Sequence, residues 1–383
     1  MDKDELERLR QEKKAKKEAK KKLNQTLAQA RPQLLPPTPL KRAFYAIPGR
    51  GIAKSLNTIS VMTYNILAQS LVKRELFPHS GEMLKWKTRR RMIIEDIAQY
   101  KPDIMCLQEV DNYDEFYKES LFKLGYETEF HKHATKQHGC MIGYNATKFE
   151  RDAYTTLDYD NDPLTPPTQS TGNIAQLIGL RFVDQPKGFV VGNTHLYWRP
   201  ESFYERMRQT AIYTQRMEEF KTHLESSNFN TAPIDATYAA INKDLLTESQ
   251  LATLNSSRCS FGGDEDDAVD NSSLAETKEI EPNADLIPVS DLVALLAQAP
   301  KWQSVYSQYI EVDEKSSDAN GEPKFTHYAA VHSGTLDYIF INGDEFKVSE
   351  LLEIPNEDKV LPALPNRNFG SDHVCLVAKI EFQ

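Results

Sequence analysis

The chain is 383 residues long, 40% hydrophobic and formally −10 in charge, enough for a substantial core. No stretch approaches the roughly 18 apolar residues of a membrane span, and the N-terminus lacks the apolar h-region of a secretory signal, which excludes a membrane-embedded chain and argues against secretion. Cys106, Cys140, Cys259 and Cys375 lack metal-like spacing and read as reduced thiols, as expected of a protein of the cytoplasm and/or nucleus.

The charge is unevenly spread. Residues 1–42 hold 13 Lys/Arg against 6 Asp/Glu, or +7, while the rest of the chain carries −17. Met1 to Ala30 favours helix but has no apolar stripe, so it reads as a solvated helix or disordered arm. Such an arm holds RNA electrostatically, directs nuclear import, or merely solubilises the chain. Five prolines in residues 31–49 mark a linker, so the arm and linker are expected over 1–48 and a folded domain over 49–383.

Within that domain, Thr58–Leu67 reads as a strand with Asn65 near its end. Trp86–Tyr100 carries Met92, Ile93, Ile97 and Tyr100 at helical spacing, and Pro102 closes it. Ile104–Asp111 is nearly all apolar, the pattern of a strand buried on both faces, and Glu109 stands at its end. A carboxylate there needs a cation, either a nearby arginine or a divalent metal. Further strands are expected at Gly139–Tyr144, Ile174–Phe182 and Phe189–His195, then a helix from Tyr204 to about Leu224. Strands alternating with helices, and also running as hairpins, predict a layered α/β sandwich.

His195 ends one of these strands, followed at once by Trp198, Arg199 and Pro200, a cluster suited to stacking on a base and contacting a phosphate. Thr247–Ala284 is Ser-, Asn- and acid-rich and reads as a disordered insertion at about 247–285. Ile287–Ala299 and Trp302–Tyr309 read as helical. Gly334–Ile341 reads as a strand holding one buried carboxylate, Asp337, and Ser371-Asp372-His373 precedes the final strand, Val374–Phe382. An Asp paired with a His orients the ring and raises its basicity, so that it stays cationic opposite a phosphate.

Asn65 in Met-Thr-Tyr-Asn-Ile-Leu, Glu109 in Leu-Gln-Glu-Val, His195 in Asn-Thr-His-Leu-Tyr-Trp, Asp337 in Leu-Asp-Tyr-Ile-Phe and Ser371-Asp372-His373 together resemble the endonuclease/exonuclease/phosphatase family. Within it, the chain looks most like the deadenylase and nocturnin branch and its fungal Ngl-type RNA exonucleases. The resemblance covers residues 57–383. It implies a four-layer α/β sandwich of two packed mixed sheets flanked by helices, and Mg²⁺-dependent (Mn²⁺ is an alternative) hydrolysis of RNA from the 3′ end to 5′-nucleoside monophosphates, as in poly(A) removal or ribosomal RNA trimming.

Residue by residue, the resemblance implies that Glu109 ligates Mg²⁺ with Asn65 beside it and Asp372 in its shell. His195 and His373 would hold the scissile phosphate, with Asp337 orienting His373. Pro200 matches the position that packs on the terminal base, and His332 falls where deadenylases carry the facing aromatic. The family's Gly-Asp-Phe-Asn motif corresponds best to Ser227-Asn228-Phe229-Asn230: Asn230 fits, but Asn228 replaces the catalytic Asp, and the strand expected before it is missing. Loss of a general base costs about 10²–10⁴ in rate. The alternatives are therefore a segment lost through an error in the gene's reading, a slow enzyme, a catalytically impaired relative that binds RNA, or a phosphatase on a small phosphate ester. The sequence ahead of the domain is not expected to supply a leucine-rich-repeat docking module.

Overall fold

A computed structural model of the chain describes residues 13–18, 36–49, 58–222, 236–259 and 285–382. Residues 13–18 are helical and exposed. The second unit runs from Thr38 to Gln383. Its strands are β1 (Phe44–Ala46), β2 (Thr58–Asn65), β3 (Ile104–Val110), β4 (Tyr126–His131), β5 (Gly139–Asn145), β6 (Phe149–Asp158), β7 (Ile174–Phe182), β8 (Gly188–Thr194), β9 (Gln303–Ser304), β10 (His327–Tyr328), β11 (Ser333–Gly334), β12 (Phe340–Ile341), β13 (Phe346–Leu352) and β14 (Leu376–Phe382). The helices used below are α1 (Trp86–Tyr100), α2 (Phe203–Lys221), α3 (Ala236–Ile241), α4 (Glu248–Ser256) and α5 (Val289–Gln298).

Seven strands form one mixed sheet in the order β1-β13-β14-β2-β3-β5-β4, in which only β2 and β3 run parallel. A second sheet, β6-β7-β8, is antiparallel, and β9 pairs with β12 and β10 with β11. Successive side chains on a strand point to opposite faces, so neighbours in sequence enter different cores. Val61, Ile104, Cys106 and Ile142 meet Ile178, Leu180 and Val191 of the second sheet. Met62, Tyr64, Met105 and Leu107 pack instead against Ile93 and Ile97 of α1. On the far side, Ala175, Leu177 and Val190 pack against Ile212, Tyr213 and Met217 of α2. Helix, sheet, sheet and helix therefore stack as the four-layer α/β sandwich expected. Gly192 allows the close approach of α2 to β8, since a Cβ there would overlap the Tyr213 hydroxyl.

Some expectations need correction. The domain starts before residue 49: β1 pairs with β13, and buried Arg42 donates from Nη2 to the Cys375 carbonyl at 2.9 Å and from Nη1 to the Glu353 carbonyl at 2.9 Å. Pro36, Pro37 and Pro39 thus lead into an edge strand, and Pro48 follows it, rather than marking a free linker throughout. Within the acidic stretch, Glu248–Ser256 is a helix started by a capping box, with the Thr247 side chain accepting from the Gln250 N–H and Gln250 reaching back; residues 260–284 lie outside the described residues. Trp302–Tyr309 is not one helix: Gln303–Ser304 pairs with β12, and a 3-10 turn spans Tyr306–Glu311. The strand expected over Gly334–Ile341 is laddered only at its ends, and Asp337 sits in the extended backbone between β11 and β12.

Candidate active site

β2 and β3 end side by side, with Asn65 opposite Gln108. Between Leu107 and Val110 the β3–β5 register shifts, and Glu109 takes φ 56°, in the left-handed region. A non-glycine residue there costs about 1–2 kcal/mol, a strain that tertiary contacts must hold. Those contacts are explicit: Asn65 Nδ2 donates to Glu109 Oε1 at 2.7 Å and the Ala68 N–H donates to Oε2 at 3.0 Å. Asn65 Oδ1 accepts the Leu67 N–H at 3.0 Å, so the amide orients the carboxylate while its own oxygen is turned to the backbone.

The second sheet braces the same irregularity. Asn193 of β8 donates Nδ2 to the carbonyls of Leu107 (2.9 Å) and Met141 (3.0 Å) and accepts from Gln108 Nε2 (2.9 Å). Two residues on, His195 places Nε2 4.0 Å from Glu109 Oε1, and its carbonyl accepts from Asn173 Nδ2 at 2.9 Å. Beyond it, Trp198 and Pro200 are exposed and the Arg199 guanidinium lies 5.5 Å from the Trp198 ring centre. This segment is pinned by α2: Gln209 accepts the Tyr197 N–H at 2.9 Å, and Arg206 donates to the carbonyls of Arg199 and of Pro200, the latter at 2.8 Å.

The C-terminal motif arrives from the opposite side of β2. The Ser371 hydroxyl donates to the Asn65 carbonyl at 2.7 Å, which sets Asp372 and His373 against the strand pair carrying Glu109. His373 Nδ1 is 2.7 Å from Asp337 Oδ2, which also accepts from the Thr326 hydroxyl at 2.6 Å. Burial disfavours the His373 cation, but Asp337, with Asp372 and Glu109, more than offsets this and pushes its pKa up to about 9. Asp372 is likewise buried, yet its contact with His327 and the charge of His373 hold its carboxyl well below the usual range. Arg89 of α1, wholly buried, ties the loops together through Nε to the Gly370 carbonyl at 2.8 Å and through Nη1 to Gln69 at 3.0 Å.

Glu109, Asn65, His195, Asp337, Asp372 and His373 are thus gathered at one end of the sandwich. His332 lies on the β10–β11 turn, stacked on His327 with ring centres 5.7 Å apart; burial, then the charges of His327 and His373, lower its pKa. Asn228 and Asn230 lie outside the described residues. Four supporting residues were missed in the sequence: Arg89, Asn193, Thr326 and His327. Arg89 had a signal, since it falls on the helical face of Met92 and Ile93, as did Asn193, a polar residue inside an apolar strand.

A hard divalent cation fits Glu109 by donor chemistry, because a carboxylate already oriented by an amide and a backbone N–H keeps lone pairs for an ion. Among the described residues, no helix is long and apolar enough to cross a membrane.

Comparison with known proteins places the chain among relatives by sequence and by fold. Probable RNA exonuclease C9B6.11c of Schizosaccharomyces pombe is 30% identical over 402 residues, covering 89% of this chain and 80% of that protein. Probable RNA exonuclease NGL3 of Saccharomyces cerevisiae is 34% identical over 330 residues, covering 75% and 65%. Among solved structures, the 2′,3′-cyclic phosphatase ANGEL2 superposes with a TM-score of 0.66 at 23% identity, covering 90% of this chain and 99% of that one, a likeness of fold. Residues 62–373 match the Endonuclease/Exonuclease/phosphatase family from the first motif strand through His373, and the chain belongs to that family.

Proposed function

We propose that the chain is a Mg²⁺-dependent 3′–5′ exoribonuclease that hydrolyses RNA phosphodiesters and releases 5′-nucleoside monophosphates. The observation that carries this reading is the meeting of Glu109 and His195, at 4.0 Å, with the Asp337–His373 pair across the Ser371–Asn65 hydrogen bond. A bound divalent cation would neutralise charge on the phosphoryl oxygens at Glu109. The chain's own residues do the rest. Asn65 and Ala68 hold the carboxylate, Asp337 keeps the His373 ring oriented and cationic toward the phosphate, and His195 supplies a second imidazole beside it. Trp198, Arg199, Pro200 and His332 would receive the 3′-terminal bases, and the basic arm would hold RNA upstream. The RNA exonuclease names of the fungal relatives support RNA as substrate, in the cytoplasm or nucleus.

Incubating the purified protein with 5′-labelled RNA and Mg²⁺ tests the proposal. Stepwise shortening from the 3′ end, stopped by a chelator, is expected. No shortening at high enzyme, or faster phosphate release from small esters than nucleotide release from RNA, would remove it. Asn228 favours a second reading, a relative that binds RNA with impaired turnover. Under the first reading N228D raises the rate at least about tenfold by restoring a general base; under the second it changes nothing.

A further inference from the structure

The proposed hydrolysis gives no role to His327, the histidine beside the Asp372–His373 step. His327 on β10 forms an isolated bridge to His373, and the two rings lie 4.6 Å apart, tilted by 56°. Its Nε2 is 3.5 Å from Asp372 Oδ2. Ligand atoms of His327, Asp372 and His373 all lie within 4.8 Å of one another, and the three side chains are no more than 12% exposed. Two imidazole nitrogens and a carboxylate oxygen suit a borderline transition metal better than Mg²⁺, which prefers oxygen.

The His327–Asp372 spacing of 3.5 Å fits, and the wider limit of 4.8 Å for the three ligand atoms leaves His373 to close in on the ion. Two donors on one tetrahedral Zn²⁺, each at about 2.0–2.1 Å, stand roughly 3.3–3.5 Å from each other. His373 is already dressed as a metal ligand: Asp337 occupies Nδ1, which leaves Nε2 to the ion, the carboxylate–histidine arrangement that fixes ring and tautomer. His327 has no such support, since its buried Nδ1 has no hydrogen-bond partner among the described residues. One supported and one unsupported imidazole make an exchangeable site rather than a permanent structural one.

We propose that His327, Asp372 and His373 form a regulatory site for a Zn²⁺-class cation that does not use Glu109 and takes over Asp372 from the shell the resemblance implies for the hard cation there. Its occupation withdraws His373 from the phosphate and so inhibits hydrolysis; this second clause rests on the phosphodiesterase reading above.

The test uses the full chain, stripped with a chelator and kept in excess Mg²⁺, titrated with Co²⁺ for its visible absorption and with Zn²⁺ against a chromophoric chelator. One equivalent is expected, with H327A and H327Q each binding at least about tenfold more weakly and circular dichroism confirming their fold. E109Q should abolish RNA shortening yet keep the cobalt band. H133A should bind as wild type, because in the other His/Asp cluster (His133, Asp158, Asp160) the Asp160 oxygens are already taken by Ser170, Thr171 and Gly172. No cobalt band, wild-type affinity in both His327 variants, or loss of the band in E109Q with retention in H327Q would overturn the site. A band lost in H327Q, in a protein that never shortens RNA, would support the site and refute the nuclease reading instead.

Discussion

At the scale of single residues, the site is held by contacts that work against local preference. Glu109 keeps φ 56° because its carboxylate is clamped by Asn65 and Ala68. Removing the side chain without relieving the backbone should therefore be worse than relieving both. Glu109→Gly should be more stable than Glu109→Ala by about 1 kcal/mol in urea unfolding, although both lose activity. Asp337 acts through His373, so its test lies in a pH profile. The cationic form of His373 is present below its pKa, which the neighbouring carboxylates push up to about 9, and is lost as pH rises through that value. Asp337→Asn should lower kcat about 10²-fold or more and move the alkaline limb of kcat to lower pH; an unchanged limb would mean that Asp337 serves packing alone.

At the scale of elements, two irregularities do the positioning. At the register shift between Leu107 and Val110, Asn193 satisfies the Leu107 carbonyl of β3 and the Met141 carbonyl of its partner β5, so one sheet's defect is filled by the other sheet's side chain. The segment before β1 is fastened in the same manner by Arg42, whose guanidinium lies buried over the start of β14 and also reaches Cys375 Sγ at 2.8 Å. Arg42→Ala leaves the Cys375 and Glu353 carbonyls short of a donor and should cost about 2–4 kcal/mol, read as a lower denaturant midpoint. A surface linker would lose nothing by the same change.

At the scale of the whole molecule, buried acids set how stability depends on pH. Burial, chiefly, pushes the Glu322 carboxyl up from 4.5 to about 7, with the Tyr238 hydroxyl donating to Oε1 at 2.8 Å. A carboxyl whose folded pKa is raised contributes stability that is complete below its unfolded value and is lost as pH rises through the folded one. The chain should thus weaken between about pH 4.5 and 7, by an amount of order 3 kcal/mol from this group. Glu322→Gln should flatten that slope in thermal or urea unfolding; Asp96, also raised by burial to about 7, contributes a slope of the same sign.

The sequence by itself determined the buried central strands β2, β3, β5, β7, β8 and β14, because apolar residues at consecutive positions such as Val61 and Met62 need two covered faces, while the more exposed or shorter β1, β4, β6 and β13 carry no such run and were not marked. It also marked Asn65, Glu109, His195, Asp337, Asp372 and His373, since polar groups at the ends of apolar runs stand out. What only the tertiary structure decided is how those groups are held: the bulge at Glu109, the reach of Asn193 across the sheets, the grip of Thr326 on Asp337, and the place of His327 beside Asp372. Each joins positions far apart in the chain through one or two hydrogen bonds, and such pairings leave no periodicity in composition from which they could be read.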